Sequence, residues 1–587
     1  MNVVGISAFY HEAACCLLRD GRLVAAAEEE RFTRIKHDPR LPVHAFRFCL
    51  ERGGIGIEDL DAVGYYESPV KKLSRQLWAG PPQGVSPAMP WLDALRPERE
   101  IRETLGWDGP LLLFEHHLSH AASAFDYSGF EEAAILTVDG VGEWATTTYG
   151  RGGADGIELF EQVEFPHSLG LLYSTITGYL GFRVNDGEYK VMGLAPYGQP
   201  RHLDQMRALL RSEPGGQYRL NLEYFDFLRG TRMHSERLAE LLGGPARAPE
   251  SEIAQRHQDV ARSLQVVLEE TLLEKARWLH ERVPSPNLCM SGGVALNCVA
   301  NGRILREGPF QRLFVQPAAG DAGGALGAAA LAHAQLIGSR LPRQRLRDVY
   351  LGPRYDAYEI AELLQALGVD TLDFRGRDPQ LLEAVVDRLA AGQVVGWFHG
   401  PMEFGPRALG ARSILADPRD PGMRERLNRL VKKREAFRPF APSVLQERAA
   451  EHFELDHPSE FMLETCRVRS PLDLPAITHV DGSARPQTVD AAHAPRYAAL
   501  IRAFAARTGC PLLVNTSFNV RGEPIVCSPT DALVTMAESD IDCLVLEDFV
   551  IDRAALAKPL LGLLRYWNSL YNTRGERPVS STVYTFL

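Results

Sequence analysis

Cysteines at metal-binding spacing are missing from this 587-residue chain, and their absence limits the classes of protein to which it could belong. None of its nine cysteines stands in a Cys-x-x-Cys spacing, which excludes a zinc-finger module built on cysteine pairs. Cys15 and Cys16 are adjacent within an apolar run, a position typical of buried free thiols in a reducing compartment. We therefore expect a cytoplasmic protein without a disulfide framework.

An excess of positive charge is also missing, and we expect neither a secretory leader nor a membrane span. Lys and Arg number 64 against 75 Asp and Glu, a formal net charge of −11, so we expect no nucleic-acid partner. The chain begins with an apolar strand, Asn2 to Phe9, and we expect no leader peptide. Asp321, His333 and several glycines interrupt the Ala-rich stretch 318–337, which predicts a loop and a buried helix rather than a membrane span.

The length and composition are those of a globular protein with more than one domain. A chain of 587 residues is too long for one hydrophobic core, and 45% hydrophobic with 24% charged residues is ordinary. The polar, proline-containing stretch 339–343 predicts a boundary near residue 345, hence domains 1–345 and 346–587. Residues 81–90, rich in proline, are typical of an ordered loop or short insertion. Residues 199–260 are polar and charge-rich, and we expect them to be helical.

The N-terminal half contains a weak internal repeat. Residues 3–27 predict a strand, a tight turn, a second strand, a hairpin and a third strand, and residues 133–164 predict the same succession. Two copies followed by helices predict a duplicated α/β domain that closes around a cleft, as in actin-like and sugar-kinase-like ATPases. Gly292 and Gly293 follow another predicted strand, where backbone N–H groups could hold an anion. Close packing of helix and strand explains the two glycines equally well.

His116 and His120 form the most informative chemical pattern of the chain. They are four residues apart, so both imidazoles leave the same face of a predicted helix. Asp139 ends the apolar strand predicted for residues 133–138. Two imidazoles and a carboxylate could bind a divalent metal and leave positions open for a substrate. His117 occupies the place of the glutamate of zinc peptidases, which excludes that class, although two histidines at this spacing also occur by chance.

The C-terminal half contains a concentration of basic residues in an otherwise acidic protein. Between residues 424 and 438 these are Arg424, Arg426, Arg429, Lys432, Lys433, Arg434 and Arg438. Guanidinium groups suit phosphate oxygens, so convergence of Arg407 and Arg412 with Lys433, Arg434 and Arg438 would make a polyphosphate site. The alternative is a solvated amphipathic helix, 423–433, with its basic residues outward.

Two polar clusters follow in the same half. One extends from Thr478 to Gln487, and the other, Asn515 to Asn519, comes directly after a strand predicted for residues 511–514. Polar side chains at the carboxyl end of a strand are where α/β sheets place ligands. Turn-forming residues that satisfy local backbone groups are the alternative.

Five segments together resemble the O-carbamoyltransferases of the nodulation-protein type. They are residues 6–14, 115–140, 187–197, 402–417 with 434–443, and 515–529. The motifs Met-Glu-Phe-Gly-Pro-Arg-Ala-Leu-Gly-x-Arg-Ser and Asn-Thr-Ser-Phe-Asn-x-x-Gly-Glu-Pro-Ile are specific, and the resemblance covers almost the whole chain. Members of the family carbamoylate hydroxyls on nodulation factors, cephalosporin-type and aminoglycoside antibiotics, ansamycins and similar natural products.

The resemblance implies an α/β protein with a duplicated actin-like N-terminal domain and a YrdC-like nucleotide-binding C-terminal domain. It implies that carbamoyl phosphate and ATP, with Mg²⁺, form carbamoyladenylate in the C-terminal domain. The N-terminal domain, similar to the tRNA threonylcarbamoyl-transferase fold, would then transfer the carbamoyl group to a hydroxyl of a small-molecule natural product. A divalent metal would assist there: Fe²⁺ from the family, with Mn²⁺, Co²⁺ and Zn²⁺ equally suited to the ligands. A homodimer is the expected assembly.

The resemblance also assigns roles to individual residues. The metal ligands would be His116, His120, Asp139 and, as a fourth, Asp321. Catalytic roles would belong to His11, at the acceptor site, Arg407 and Lys433. ATP and carbamoyl phosphate would bind at Arg407, Arg412, Ser413, Lys433, Arg434, Arg438, His479, Arg485, Asn515, Ser517 and Asn519. The adenylate would bind in the N-terminal domain at Gly140, Gly142, Lys190, Gly292, Gly293 and Asn297. The family often has Asp where this chain has Glu12, which concerns the acceptor pocket alone.

Three other classes share parts of this pattern. A threonylcarbamoyl transferase acting on tRNA needs an extended basic face, which a net charge of −11 disfavours. Hydrogenase-maturation carbamoyltransferases add zinc-finger cysteine pairs and an acylphosphatase domain, which this chain lacks. A sugar kinase or actin-like ATP-binding scaffold explains the internal repeat but gives no purpose to the two histidines or the basic residues. The acceptor is not identified by the sequence.

Overall fold

A computed structural model describes residues 1–80 and 92–574, which form two compact units. Among the described residues, the first unit consists of Met1–Glu29 and His37–Leu346, and the second of Glu30–Lys36 with residues 347–574. The division after Leu346 lies beside the position predicted near residue 345. Two contiguous domains were predicted, so the assignment of residues 30–36 to the second unit is a difference. The proline-rich segment 81–90, predicted to be an ordered loop, lies outside the described residues.

The first unit is built on two five-stranded sheets. In chain order its strands are β1 (Asn2–Ser7), β2 (Ala14–Arg19), β3 (Arg22–Glu28), β4 (Ala62–Tyr65), β5 (Leu111–Leu113), β6 (Ala133–Val138), β7 (Ala145–Gly153), β8 (Gly156–Glu164), β9 (Leu210–Ser212), β10 (Tyr218–Leu220), β11 (Asn287–Ser291) and β12 (Arg312–Val315). The two sheets have the orders β3-β2-β1-β4-β5 and β8-β7-β6-β11-β12, and β9 pairs with β10 apart from them.

The two sheets have the same topology. In each, the first strand of an antiparallel meander pairs in parallel with a fourth strand: β1 with β4, and β6 with β11. A fifth strand, β5 or β12, extends each parallel edge. This repetition confirms the predicted duplicated α/β domain of the actin-like type.

Helices flank the sheets of both units. In chain order they are α1 (Glu30–Thr33), α2 (Val43–Gly53), α3 (Pro69–Ala79), α4 (Arg96–Glu100), α5 (His116–Phe125), α6 (Leu169–Tyr179), α7 (Glu188–Leu194), α8 (Leu203–Leu209), α9 (Glu236–Leu241), α10 (Gln255–Arg282), α11 (Cys298–Glu307), α12 (Asp321–Ile337), α13 (Ala357–Ala366), α14 (Asp378–Ala390), α15 (Met423–Arg426), α16 (Ala449–His452), α17 (Pro495–Thr508), α18 (Pro529–Glu538) and α19 (Lys558–Arg574). Across the described ranges, none of the helices is both long and apolar enough to span a bilayer.

Helix α12 confirms the prediction for the Ala-rich stretch, since a loop leads into a helix that is buried over most of its length. It packs on β1, β2, β4 and α5. Small residues allow this close approach: a Cβ on Gly5 of β1 would collide with the carbonyl of Ala325. The packing fixes the first turn of α12, which begins with Asp321, against the ends of β1 and α5.

The second unit contains a mixed eight-stranded sheet. Its strands, with two short ones apart from the sheet, are β13 (Leu372–Asp373), β14 (Val395–Phe398), β15 (Arg412–Ala416), β16 (Ala441–Leu445), β17 (Cys466–Arg467), β18 (Ser483–Ala484), β19 (Gln487–Val489), β20 (Leu512–Ser517), β21 (Cys543–Leu546) and β22 (Phe549–Asp552). The sheet order is β13-β22-β21-β14-β15-β20-β16-β19. Its apolar side chains join those of α13, α14, α17 and α18 in one core.

Three local predictions need correction. The segment 199–260, predicted to be helical, also contains the hairpin of β9 and β10, because residues 210–212 and 218–220 pair antiparallel. The helix predicted for 423–433 divides into α15 and one π-helical turn, Leu427–Val431. The strand predicted to end at residue 514 continues as β20 to Ser517, so Asn515 and Ser517 lie on the strand.

Candidate metal centre and basic pocket

Four predicted ligands converge in the first unit. Helix α5 places His116 and His120 one turn apart, Asp139 follows β6 directly, and Asp321 opens α12. All four residues are buried, and one nitrogen or oxygen from each lies within 4.8 Å of the others. Among the residues that the structure describes, this is the group found with the arrangement of a metal site.

The distances in this group suit a small divalent cation. His116 Nε2 lies 3.0 Å from His120 Nε2, 3.1 Å from Asp139 Oδ2 and 3.7 Å from Asp321 Oδ1. His120 Nε2 lies 3.6 Å and 3.8 Å from the same two carboxylate oxygens. Ligands about 2.1 Å from a tetrahedral metal are roughly 3.4 Å apart. The observed separations bracket that value.

The unsatisfied groups of the centre also fit a cation. Asp321 Oδ1 is buried and has no hydrogen-bond partner in the described ranges, whereas its Oδ2 accepts from the Tyr66 hydroxyl at 3.3 Å. A buried carboxylate oxygen without a partner is costly, and a bound cation would compensate it. Two imidazole nitrogens and two carboxylates suit Fe²⁺, Mn²⁺, Co²⁺ or Zn²⁺.

Surrounding hydrogen bonds hold the ligands in place. The backbone N–H of Gly293 donates to Asp139 Oδ1 at 2.7 Å, and Ser291 Oγ lies 3.2 Å from His120 Nδ1. The Glu143 carboxylate accepts the backbone N–H of His116 at 2.9 Å, and burial raises the pKa of Glu143 to about 7. Such contacts fix the orientation of ligand side chains.

The environment shifts the pKa values of the two ligand carboxyl groups in opposite directions. Burial raises the pKa of Asp321 well above its usual range, and the negative charge of Asp139 adds to the shift. Burial also acts to raise the pKa of Asp139, but hydrogen bonds to His116 and His120 hold it well below its usual range. Burial lowers the pKa of His116, with the neighbouring His120 adding to the shift.

The predicted acceptor-site histidine, His11, lies in the turn between β1 and β2. Its side chain is 21% exposed, and its Nδ1 is 3.9 Å from Glu12 Oε2. Burial lowers the pKa of His11, while the charges of Glu12 and, more weakly, Asp139 raise it. Its imidazole is therefore neutral at pH 7.

The predicted glycines of the adenylate site surround Asp139. Gly292 has φ +93°, and a Cβ there would collide with the carbonyl of Val138, so only glycine fits. Gly293 donates to Asp139 as described, and Gly140 and Gly142 form the turn after β6. Of these glycines, Gly293 directs its N–H to the ligand carboxylate, whereas the N–H groups of Gly292 and Gly142 donate to the carbonyls of Ala319 and Ala145.

The other two predicted adenylate residues lie on helices of the same unit. Lys190 on α7 is buried, with its Nζ 5.7 Å from the centre of the Phe182 ring. Asn297 caps α11 and exchanges two 3.0 Å hydrogen bonds with Gln265 of α10. Gln265 was not found from the sequence, because no motif distinguishes it within a long helix.

In the second unit, the loop 402–412 is held from inside by Glu403. Its Oε1 accepts backbone N–H groups from Leu409 at 2.7 Å and from Ala411 at 2.8 Å. Arg407 is half-buried in this loop. Ser413, at the start of β15, is buried, and its Oγ accepts the N–H of Gly410.

Arg412 is fully buried, and its guanidinium group donates within the fold. It contacts the carbonyls of Gly400 at 2.9 Å and Pro353 at 3.0 Å, and it lies 3.5 Å from the centre of the Phe398 ring. Burial lowers the pKa of Arg412. These donors, predicted to meet phosphate, are used by backbone carbonyls instead.

The lysine that reaches the predicted polar cluster is Lys432. Its Nζ donates to the Ser517 carbonyl at 2.7 Å and to the Asn519 carbonyl at 2.7 Å, and it also contacts both side chains. Burial lowers its pKa well below the usual range, and the charges of Arg434 and Arg438 add to the shift. Lys433, predicted to be catalytic, is exposed and has φ +51°. With the backbone of Lys433 in the left-handed region, the side chain of the preceding Lys432 lies in the interior.

Asn515 belongs to a separate buried network. Its amide donates to Ser443 Oγ and Gln487 Oε1 at 3.0 Å each, and to the Ala408 carbonyl at 3.2 Å. Gln487 in turn donates to the Leu409 carbonyl at 2.7 Å. Asn515 therefore supports the loop that carries Arg407.

The remaining predicted residues lie around these loops. Arg434 and Arg438 are half-buried, and Arg434 Nε donates to Asn428 Oδ1 at 2.8 Å. His479 is buried, with its Nδ1 3.6 Å from Asp481 Oδ1, and Arg485 is half-buried. The structure thus joins Lys432 with Ser517 and Asn519, near the positive charges of Arg434 and Arg438.

The duplicated α/β unit and its buried histidine–carboxylate centre define an enzyme class with a candidate divalent-metal site. The model of the carbamoyltransferase N-terminus matches residues 2–79 and 102–330, and that of the carbamoyltransferase C-terminus matches residues 386–553. The chain belongs to the carbamoyltransferase family, which confirms the resemblance read from its motifs.

Relatives extend this assignment over nearly the whole chain. Uncharacterized protein sll1178 of Synechocystis sp. is 46% identical, over 94% of this chain and 97% of its own length. Nodulation protein NolNO of Sinorhizobium fredii is 41% identical, over 93% of this chain and 79% of its own. The 3'-hydroxymethylcephem-O-carbamoyltransferase of Amycolatopsis lactamdurans is 33% identical, over 63% and 66%. These relatives support carbamoyl transfer to oxygen, and the protein is a carbamoyltransferase.

Solved structures align only weakly. The crystal structure of T. kodakarensis HypF has a TM-score of 0.32 and 15% identity, over 57% of this chain and 48% of that one. The ROK hexokinase from Thermus thermophilus has a TM-score of 0.30 and 15% identity, over 58% and 100%. At these scores the alignments add no weight to an assignment of fold or function.

Proposed function

We propose that the protein is an ATP-dependent O-carbamoyltransferase that uses one unit for each of two steps. In the first step, carbamoyl phosphate, ATP and one water give carbamoyladenylate, phosphate and pyrophosphate. In the second, a hydroxyl oxygen of the acceptor bonds to the carbamoyl carbon, and the bond from that carbon to the AMP oxygen breaks. Adenylation supplies the good leaving group that an unactivated carbamoyl group lacks.

The second unit is the proposed place of the first step. Arg407, Arg434 and Arg438 bring positive charge to loops that also present Ser517 and Asn519, and buried Lys432 holds these two residues in place. Such charge, together with Mg²⁺, suits a triphosphate and offsets the charge that develops on departing pyrophosphate. Arg412, Ser413 and Asn515 support these loops from the interior, while Lys433, His479 and Arg485 remain candidates for direct contact.

The first unit is the proposed place of the second step. A divalent cation held by His116, His120, Asp139 and Asp321, Fe²⁺ in the first instance, would supply a Lewis acid and an anchor for the adenylate phosphate. The turn at Gly292 and Gly293, which carries no side chain, would leave room beside Asp139 for the adenylate, and Lys190 and Asn297 remain candidates to contact it. His11, neutral at pH 7, would accept the proton of the acceptor hydroxyl.

The observation that carries the proposal is the convergence of the four buried ligands in a chain that belongs to this family. Small-molecule natural products of the antibiotic, toxin or glycolipid type are the proposed acceptors. We do not include a nucleic-acid or membrane partner in the proposal, and a homodimer is the proposed assembly.

The decisive experiment measures pyrophosphate release by metal-loaded protein. We expect release from ATP only when carbamoyl phosphate is present, with one phosphate formed for each pyrophosphate. Absence of carbamoyl-phosphate-dependent release would reject the two-step reaction and favour the kinase or scaffold class. A mass-spectrometric screen of hydroxylated acceptors with both substrates would then identify the acceptor.

A further inference from the structure

A short segment from the N-terminal part of the chain belongs to the second unit. This segment, Glu30–Lys36, is here called the strap, and it contains α1. The residues on either side, Glu29 and His37, belong to the first unit. More than 300 residues separate the strap in sequence from the rest of the second unit, which resumes at Arg347.

Arg31 of the strap fixes the loop that carries Arg407. Arg31 is 4% exposed, and its Nη2 donates to the Gly405 carbonyl at 2.9 Å, while its Nη1 pairs with Glu30 Oε1 at 2.6 Å. A buried guanidinium group is costly unless it is paired and hydrogen-bonded. Gly405 has φ +115° and lies two residues before Arg407. Arg31 therefore holds the backbone of the turn that presents Arg407.

Arg34 and Phe32 fix the loop that carries Asn519. Arg34 donates to the Ile525 carbonyl at 2.7 Å and to the Pro524 carbonyl at 3.0 Å. These carbonyls follow Asn519, whose amide donates to the Glu523 carbonyl in the same loop at 2.6 Å. The ring of Phe32 packs against a small apolar cluster formed by Met402, Ile525 and Cys527. That cluster takes Met402 from the first loop region and Ile525 and Cys527 from the second.

The strap therefore joins the two loops on which the pocket of the second unit depends. The loops also meet through the Phe518 N–H, which donates to the Arg412 carbonyl at 3.0 Å. Lys36, at the end of the strap, adds its charge to those that lower the pKa of Lys432. The spacing between Arg407 and the Lys432–Asn519 group is thus set by the strap as well as by the sheet.

We propose that the strap is a working part of the site for ATP and carbamoyl phosphate, with Arg31 and Arg34 as positioning residues. Both guanidinium groups donate to backbone carbonyls of the loops, so they act through Arg407, Lys432 and Asn519 rather than on the substrates. The inference rests on the proposed function, because it assigns the strap to the first of the two steps.

The test uses full-length Arg31→Ala, Arg31→Lys and Arg34→Ala, with Arg388→Ala as the matched control. Arg388 resembles Arg34 in exposure, 17% against 15% of the side chain, and it also contacts an aspartate and a carbonyl, but on α14. Hydrogen–deuterium exchange is followed in residues 402–412 and 517–527. Carbamoyl-phosphate-dependent pyrophosphate release gives kcat and KM for ATP, and transfer from preformed carbamoyladenylate reports on the first unit.

We expect Arg31→Ala to speed exchange in residues 402–412 and Arg34→Ala to speed it in residues 517–527. Each change should lower kcat/KM for pyrophosphate release about tenfold, since a small displacement of a binding loop is enough for such a loss. Transfer from preformed carbamoyladenylate should be unchanged, Arg31→Lys should recover part of the loss, and Arg388→Ala should match the unsubstituted protein.

Two results would overturn the proposal. One is wild-type exchange in both loops together with wild-type pyrophosphate kinetics in Arg31→Ala and Arg34→Ala. The other is an equal decline of all variants, the control included, in step with thermal stability. Arg34→Ala removes a less buried side chain, so it remains informative where Arg31→Ala does not fold. If unsubstituted protein releases no pyrophosphate, the proposed function fails, and the exchange data alone decide whether the strap holds the loops.

Discussion

Both units of this protein bury charged side chains, but they satisfy them in different ways. At the candidate metal centre of the first unit, four buried polar groups face one another, and Asp321 Oδ1 has no hydrogen-bond partner in the described ranges. In the second unit, buried Arg412 and Lys432 donate to carbonyl oxygens of the surrounding loops. The first arrangement leaves a carboxylate oxygen free to bind a cation, whereas in the second both terminal nitrogens of Arg412 and the Nζ of Lys432 already donate to the fold.

The difference separates two uses of a buried charge. A cluster that lacks partners of its own marks a place where a ligand belongs, because its desolvation has not been compensated. A cluster whose donors bond to carbonyl oxygens of the surrounding loops holds those loops in place for other residues. In the second unit the groups that face ligands are therefore expected among the half-buried residues, such as Arg407 and Arg434, and not among the most buried ones.

Removal of a centre ligand should have the largest effect. We expect His116→Ala and Asp321→Asn to lose bound metal and to lower transfer from preformed carbamoyladenylate by about 10³-fold, since no other group in the centre replaces a ligand. Metal content by mass spectrometry and the transfer rate are the measurements. The adjacent His117→Gln is the control. His117 lies on the same helix, but its Nδ1 contacts Thr137 Oγ1 at 2.6 Å instead of a ligand carboxylate. Retention of full metal content by His116→Ala would show that the centre is merely a polar core.

Removal of a supporting charge should act on stability. Arg412→Ala leaves buried carbonyls without their donor, and we expect the free energy of unfolding to fall by about 3 to 5 kcal/mol. Arg407→Ala should change it by less than about 0.5 kcal/mol while slowing pyrophosphate release. Urea unfolding of both variants measures the two changes in the free energy of unfolding. Equal stability losses would erase the distinction between supporting and ligand-facing arginines.

The two adjacent lysines should differ in the first step. We expect Lys432→Ala to lower carbamoyl-phosphate-dependent pyrophosphate release by about 10²-fold, because it removes the Nζ that holds the carbonyls of Ser517 and Asn519 and so displaces their loop. Lys433→Ala changes an exposed side chain, and we expect it to cause a smaller loss of activity than Lys432→Ala. The steady-state rate of pyrophosphate release distinguishes them, and a reversed order would restore Lys433 as the working lysine.

The smallest effect is expected from a change of pH near neutrality, which should leave the rate of carbamoyl transfer almost unchanged. Burial lowers the pKa of His11 below 6.5, so its imidazole stays neutral as pH falls through 6.5 and becomes protonated only further down. We expect the transfer rate from preformed carbamoyladenylate to stay level from pH 8 through 6.5 and then to fall about tenfold per pH unit below the lowered pKa. A decline that starts above pH 7, or full transfer by His11→Asn, would remove His11 from the proposed role.

The metal centre was predictable from the sequence where regular elements fix the geometry. His116 and His120 depend only on helical spacing, and Asp139 depends on the end of a buried strand. Asp321 came from the family resemblance, because its place beside the other three depends on packing of α12 against β1 and α5. No local pattern contains that information.

The second unit was less predictable because its site consists of loops. The choice between Lys432 and Lys433 depends on one residue with positive φ after a π-helical turn, and no spacing rule foresees that conformation. The motif that contains Arg412 identified the family but not the burial of its guanidinium group. The contact between Arg31 and Gly405 joins residues 374 apart in sequence, beyond the reach of any pattern.

Because the strap lies far in sequence from the rest of its unit, it affects how the second unit folds during synthesis and how the protein can be recombined with a relative. Residues 30–36 leave the ribosome more than 300 residues before the unit in which they belong, so the second unit closes on a segment that was synthesised early. A chimera that exchanges only residues after 346 with a relative would pair one protein's loops with another's strap. Exchange of residues 30–36 together with the C-terminal part keeps the unit whole.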